Sequence, residues 1–129
     1  MAWYKAYQTL SRHPKTLRLA RLMKVDRRYA VGLLHDLFSW GLDAAGKYGE
    51  LIGMEAEDIA AALDLSGKKG VAVVQALQDA GFLDLNWNVY AIHDWYEYSG
   101  NLAERREKDR IRKAKDRDGI PQDFRRNSD

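Results

Sequence analysis

A chain of 129 residues, 46% hydrophobic and 31% charged, has the size of one domain with a tail and the balance of a soluble globular protein. Having no cysteine, it excludes disulfides, thiolate metal sites and thiol nucleophiles, and no apolar run approaches the roughly 20 residues of a membrane span. The net charge of +2 is uneven: residues 1–28 hold eight basic side chains and one acid, residues 29–98 three and eleven, and residues 99–129 ten and seven.

Met1-Ala2-Trp3-Tyr4-Lys5 lacks the basic-then-apolar opening of a secretion signal, so the expected location is the cytoplasm. Pro14, with Ser11 or His13 before it, marks the start of a first helix, because proline at the first helical position forgoes an N–H that has no partner there. Leu17, Leu19, Ala20, Leu22 and Met23 supply its apolar face and Lys15, Arg18 and Arg21 its outward one. Asp26 is a good N-cap for a second helix reaching about Ala45, with Ala30, Leu33, Leu34, Leu37, Phe38 and Leu42 inward. Gly32, in its middle, is expected where a neighbour packs closely.

A turn at residues 46–49 leads into a short strand, Glu50-Leu51-Ile52. Glu55, Glu57 and Asp58 then favour the positive end of a third helix, which carries Ile59, Ala62 and Leu63 and ends before Ser66-Gly67. A fourth helix follows Lys68-Lys69-Gly70, buries Val73, Val74, Leu77 and Ala80, and stops at Gly81. Residues 82–85 and 89–93 read as strands joined by Asn86-Trp87-Asn88. Asn101 and Glu104 open a charged helix, with Glu104–Lys108 and Asp109–Lys113 as favourable pairs.

The order helix, helix, strand, helix, helix, strand, strand is that of a winged helix-turn-helix: an α+β, mainly α fold with a small antiparallel β-wing and a C-terminal charged helix. The expected divisions are a winged-helix domain over residues 1–98, a charged helical linker over 99–117 and an irregular tail over 118–129.

The segments Arg12-His13-Pro14-Lys15 with Leu19-Ala20, residues 30–40, Gly49-Glu50-Leu51, Glu57-Asp58-Ile59-Ala60, residues 80–84 and residues 90–95 resemble, in order and spacing, the amino-terminal domain of phage replication proteins. The chain is similar there to replisome organisers and DnaD-like primosomal proteins over roughly residues 3–100. The resemblance implies a phage or prophage DNA-replication role, DNA as partner, and self-association or contacts with replication proteins. Residues 104–128 look like the linker that follows this domain in longer relatives, so the helicase-loading half of that family's activity is not carried over.

No catalytic or metal-ligating constellation is expected. His35-Asp36 and His93-Asp94 pair an imidazole with a carboxylate, but neighbours on a helix or strand do not face each other. His93 is expected to hydrogen-bond at the end of its strand. The glycines are scattered through turns and form neither a Walker loop nor a dinucleotide fingerprint, so no cofactor is implied.

The candidate DNA contacts are Arg12, Lys15 and Arg18 on the first helix, and Lys68, Lys69 and Gln75 on the fourth. Asn86, Trp87 and Asn88 join them at the wing tip, and Arg105, Arg106, Arg110 and Lys113 on the charged helix. Lysine and arginine meet phosphates, glutamine can read adenine, and an indole can stack on a base. Ala72 and Asp79 on the same face as Gln75 make a poor surface for sequence-specific recognition. For Trp87 a protein-interface anchor, or folding back on the sheet, stands beside the nucleic-acid reading; the charged helix is otherwise a solvated linker. Trp40 and Trp95 lie in periodic segments and are assigned to packing. Two rival functions follow: an oligomerisation or adaptor domain, or a phage transcriptional regulator.

Overall fold

The structure is a computed structural model that describes Tyr4, residues 9–99 and the helix Leu102–Arg117, with side chains of residues 106–115 in that helix. The expectations for Asn101, Glu104, the side chain of Arg105 and residues 118–129 lie outside the described residues. A 3-10 turn, Leu10–Arg12, precedes α1 (Pro14–Met23), whose N-cap is His13: its ring Nδ1 accepts the backbone N–H of Lys15 at 3.2 Å. α2 (Arg27–Ala44) is capped by Asp26, which accepts from the Tyr29 N–H at 2.8 Å. The short strand β1 (Glu50–Leu51), α3 (Ala56–Ala62), α4 (Gly67–Ala80), β2 (Leu83–Asn86), β3 (Val89–Ile92), α5 (Trp95–Ser99) and α6 (Leu102–Arg117) follow.

The fold is α+β and mainly helical. Its one described sheet is antiparallel with order β1-β3-β2: Glu50 pairs with Ala91, and Leu83 with Ile92. Leu51, Leu83 and Ile92 face the core, and Leu19, Leu34, Leu37, Phe38, Ile59 and Leu77 meet them from the helices. Gly81 ends α4 at φ 92°, a conformation that costs a residue with a Cβ, and the Phe82 N–H then turns back to the Leu77 carbonyl.

Four details differ from the sequence reading. α1 turns Thr16, Leu19 and Ala20 inward, while Leu17 and Leu22 are largely exposed: the buried stripe follows 3.6-residue spacing from Thr16 rather than the most apolar side chains. Gly32 has no neighbour within 4 Å of where a Cβ would sit; the closely packed glycine is Gly41, where a Cβ would lie 2.6 Å from Ile92 Cδ1 and 2.8 Å from Trp95 Cη2. α4 begins at Gly67, so Lys68, Lys69 and Gly70 form its first turn instead of preceding it. Ile52 lies beyond β1 and is exposed, and Ala62 is exposed while Ala60 is buried.

Of the two tryptophans assigned to packing, Trp95 is buried in the core and Trp40 packs against it partly buried. A Phe38–Tyr98 ring stack at 4.4 Å between centroids ties α5 to α2. α6 is joined to this core by Arg106, whose Nη1 donates to the Leu42 carbonyl at 3.2 Å. That carbonyl belongs to the last turn of α2, where helical partners run out.

Candidate functional site

The pairing of α3 with α4 positions the candidate surface. Asp58 accepts the Glu55 backbone N–H at 2.8 Å at the start of α3, and the chain reverses through residues 63–66 with the Leu65 N–H bonded to the Ala60 carbonyl at 2.8 Å. A Cβ on Gly70 would lie 2.9 Å from the Ala60 Cβ, so glycine lets α4 approach α3 at van der Waals distance. With Val73, Val74, Ala76, Leu77 and Ala80 inward, α4 turns Lys68, Lys69, Ala72, Gln75 and Asp79 to solvent. On that face Gln75 Nε2 donates to Asp79 Oδ1 at 2.9 Å, which sets a carboxylate beside the amide.

β2 and β3 are joined by a two-residue turn, Trp87-Asn88, with φ of 53° and 62°. Positive φ at both central residues matches the twist of the strands and suits asparagine or glycine. Tryptophan there is uncommon, and Trp87 is also 97% exposed, so it does not fold back onto the sheet. Asn86 and Asn88 beside it are exposed too.

The basic candidates divide into free and engaged groups. Arg12, Arg18, Lys68, Lys69 and Lys113 are exposed, and their side chains make no ion pair or hydrogen bond to another described residue. Lys15 is engaged: its Nζ donates to the Gly81 carbonyl at 3.1 Å and lies 5.7 Å from the centre of the Phe82 ring, tying α1 to the end of α4. Arg106 is committed to α2, as described above. Arg110 makes a two-pronged contact with Glu107, one arm being Nε to Oε2 at 3.1 Å. That hydrogen bond and the adjacent charge hold the Glu107 carboxyl below its ordinary value and raise the Arg110 guanidinium. The expected Asp109–Lys113 pair is replaced by Asp109 with Arg112, 3.3 Å apart.

Both histidine–aspartate neighbours have local partners. His93 Nδ1 donates to Asp84 across the hairpin at 2.8 Å, so it binds at the strand end as expected. Asp94 also comes within 3.4 Å of Nε2, contrary to the reading that neighbours do not face each other, because both residues lie beyond β3 and Asp94 has φ 53°. His35 Nδ1 is hydrogen-bonded to the Tyr4 hydroxyl; partial burial first, then the charge of Asp36, raises the Tyr4 pKa.

One feature escapes the sequence reading: a groove of about 670 Å³ between α3 and the start of α4, walled by Ala60, Ala61, Leu65 and Val71. Glu57 and Asp64 rim it, with Lys68 at one end. The small side chains at Ala60 and Ala61 are its only sequence signal, and they read equally well as ordinary helix formers.

Among the described residues no helix is long and apolar enough to cross a membrane. The chain matches no family model, no curated protein and no solved structure.

Proposed function

We propose that this chain is a winged-helix DNA-binding module of a phage or prophage DNA-replication protein, acting in the bacterial cytoplasm without catalysis. The observation that carries the DNA reading is the arrangement of α3, α4 and the β2–β3 hairpin: a helix pair followed by a hairpin whose inner strand also pairs with β1, with one face of α4 uncovered. Such a helix can enter the major groove while the wing tip reaches the flanking backbone. The replication role rests on the resemblance of residues 3–100 to replisome organisers and DnaD-like proteins.

Affinity in this reading comes from phosphates. Arg12, Arg18, Lys68, Lys69 and Lys113 are the free cations of the candidate set among the described residues, and Arg105 joins them from the sequence. Lys15, Arg106 and Arg110 have intramolecular work and contribute less. With the Asp79 carboxylate and the small Ala72 beside Gln75 on the exposed face, sequence preference is weak. The test is fluorescence anisotropy on a random-sequence duplex over a salt series. Lys68→Ala/Lys69→Ala is expected to weaken binding and to flatten the salt slope by about 0.9 for each phosphate that the protein no longer neutralises. Gln75→Ala is expected to leave affinity within about twofold, as it takes no charge away from the phosphates. Absence of salt-sensitive binding at about 50 mM salt overturns the proposal.

A protein-interaction adaptor is the second reading, favoured by Trp87: an indole 97% exposed in a positive-φ turn is what an interface anchor needs. Under it, Trp87→Ala abolishes a partner complex and leaves the salt series unchanged.

A further inference from the structure

We propose that a cavity between the start of α1 and α5 binds a small zwitterion, an α-amino acid with a short side chain. The proposal does not depend on DNA binding.

The cavity holds about 230 Å³ and shares no lining residue with the α3–α4 groove. Sites for drug-sized molecules take about 300–1,000 Å³, so its occupant is smaller than a nucleotide or a peptide. At about 30 Å³ for each water of the liquid, the space equals roughly eight waters, the scale of a small amino acid.

The two elements around it bring opposite charges. From α1 come Lys15 and the capping residue His13; from α5 and the residue before it come Glu97 and Asp94. No ion pair joins Lys15 to either carboxylate. Lys15 Nζ donates to the Gly81 carbonyl at 3.1 Å, Asp94 lies 3.4 Å from His93 Nε2, and the Glu97 side chain has no partner among the described residues. Opposite charges that line one cavity without reaching each other suit a molecule that carries both signs. A simple anion is repelled by the two carboxylates and a simple cation by Lys15, whereas a zwitterion can turn each end to its complement.

The hydrogen-bonding groups match as well. The Lys15 ammonium has three hydrogens, and the Gly81 carbonyl takes one. His13 Nδ1 accepts the Lys15 backbone N–H, which in the neutral ring leaves the proton on Nε2 as a further donor. Lys15 and His13 are thus the donors for a carboxylate, and Glu97 and Asp94 the acceptors for an ammonium. Leu10 and Phe82 supply apolar wall for a short side chain.

The test follows the backbone amides of the isotope-labelled full chain by NMR as glycine, alanine or serine is added to about 10 mM, enough nearly to saturate a site with a Kd of about 1 mM. Amides of residues 9–15 and 94–98 are expected to shift together and to saturate. Glycinamide keeps only the ammonium and N-acetylglycine only the carboxylate, and each is expected to bind at least about tenfold more weakly than glycine. Glu97→Gln, at an exposed position, is expected to weaken binding by about tenfold, with a thermal melt verifying that the variant folds. Lys15 is left unchanged because it also ties α1 to the end of α4. Absence of saturable shifts with all three amino acids overturns the proposal. So does binding of glycinamide or N-acetylglycine as tight as that of glycine, or a folded Glu97→Gln variant that binds like the wild type. Duplex anisotropy of the same variant reports on the DNA reading separately, because Glu97 does not belong to the proposed phosphate-binding set.

Discussion

α2 and α6 are helices of similar length, 18 and 16 residues, held in place by different physics. α2 carries apolar residues at helical spacing and buries seven positions, from Ala30 to Leu42. In α6 the described side chains are exposed except Ala114, which is half-buried; the helix is held by near-neighbour pairs, Glu107–Arg110 and Asp109–Arg112, and by the Arg106 contact to α2. Exposed pairs of this kind are screened by solvent and stabilise a helix only weakly. A regular helix in a fold therefore says little about how firmly it is held.

The largest expected effect is in α2. Leu37 is wholly buried, and Leu37→Ala should lose about 2–5 kcal/mol through the transfer and cavity terms together. A urea-melt loss below about 0.5 kcal/mol would place Leu37 at the edge of the core instead of its centre. Two glycines of the same helix sharpen the comparison, because identical substitutions should have opposite signs. Gly41→Ala drives a methyl against Ile92 and Trp95 and should destabilise by about 1–3 kcal/mol. Gly32→Ala adds its methyl to open space at a helical position and should stabilise by about 0.5–1 kcal/mol. Equal effects at the two sites would remove packing as their distinction.

The smallest effects belong to α6. Ile111→Ala should leave global stability within about 0.5 kcal/mol, since this side chain is already largely exposed. Arg106→Ala instead should raise amide exchange along α6 without moving the global melt, as it frees the helix from α2. The Glu107–Arg110 pair gives α6 a pH dependence of known sign. The folded carboxyl lies below its unfolded value, so the stabilisation is present above the unfolded pKa and lost as pH falls through the folded one. Helix content should fall slightly on acidification, and Glu107→Gln should remove that part of the fall.

The sequence by itself determined the order of elements from α1 to β3, the cap at Asp26, the left-handed stop at Gly81 and the inward face of α2; it left Ser11 or His13 open as the cap of α1 and missed α5. Each determined feature depends on residues a few positions apart: a side chain reaching a nearby N–H, a missing Cβ, a repeat of 3.6. The tertiary structure alone decided which face of α1 is buried, since Thr16 rather than Leu17 meets the neighbouring helices. It also decided which glycine is packed, because that depends on Ile92 and Trp95, some fifty residues from Gly41. The candidate site divides the same way. Exposure of Lys68, Lys69 and Trp87 follows from local periodicity and turn position, whereas the engagement of Lys15 by Gly81 and of Arg106 by Leu42 joins groups more than sixty residues apart. The groove beside α3 belongs to that second class: its walls are ordinary alanines, a valine and a leucine until the reversal at residues 63–66 sets them facing each other.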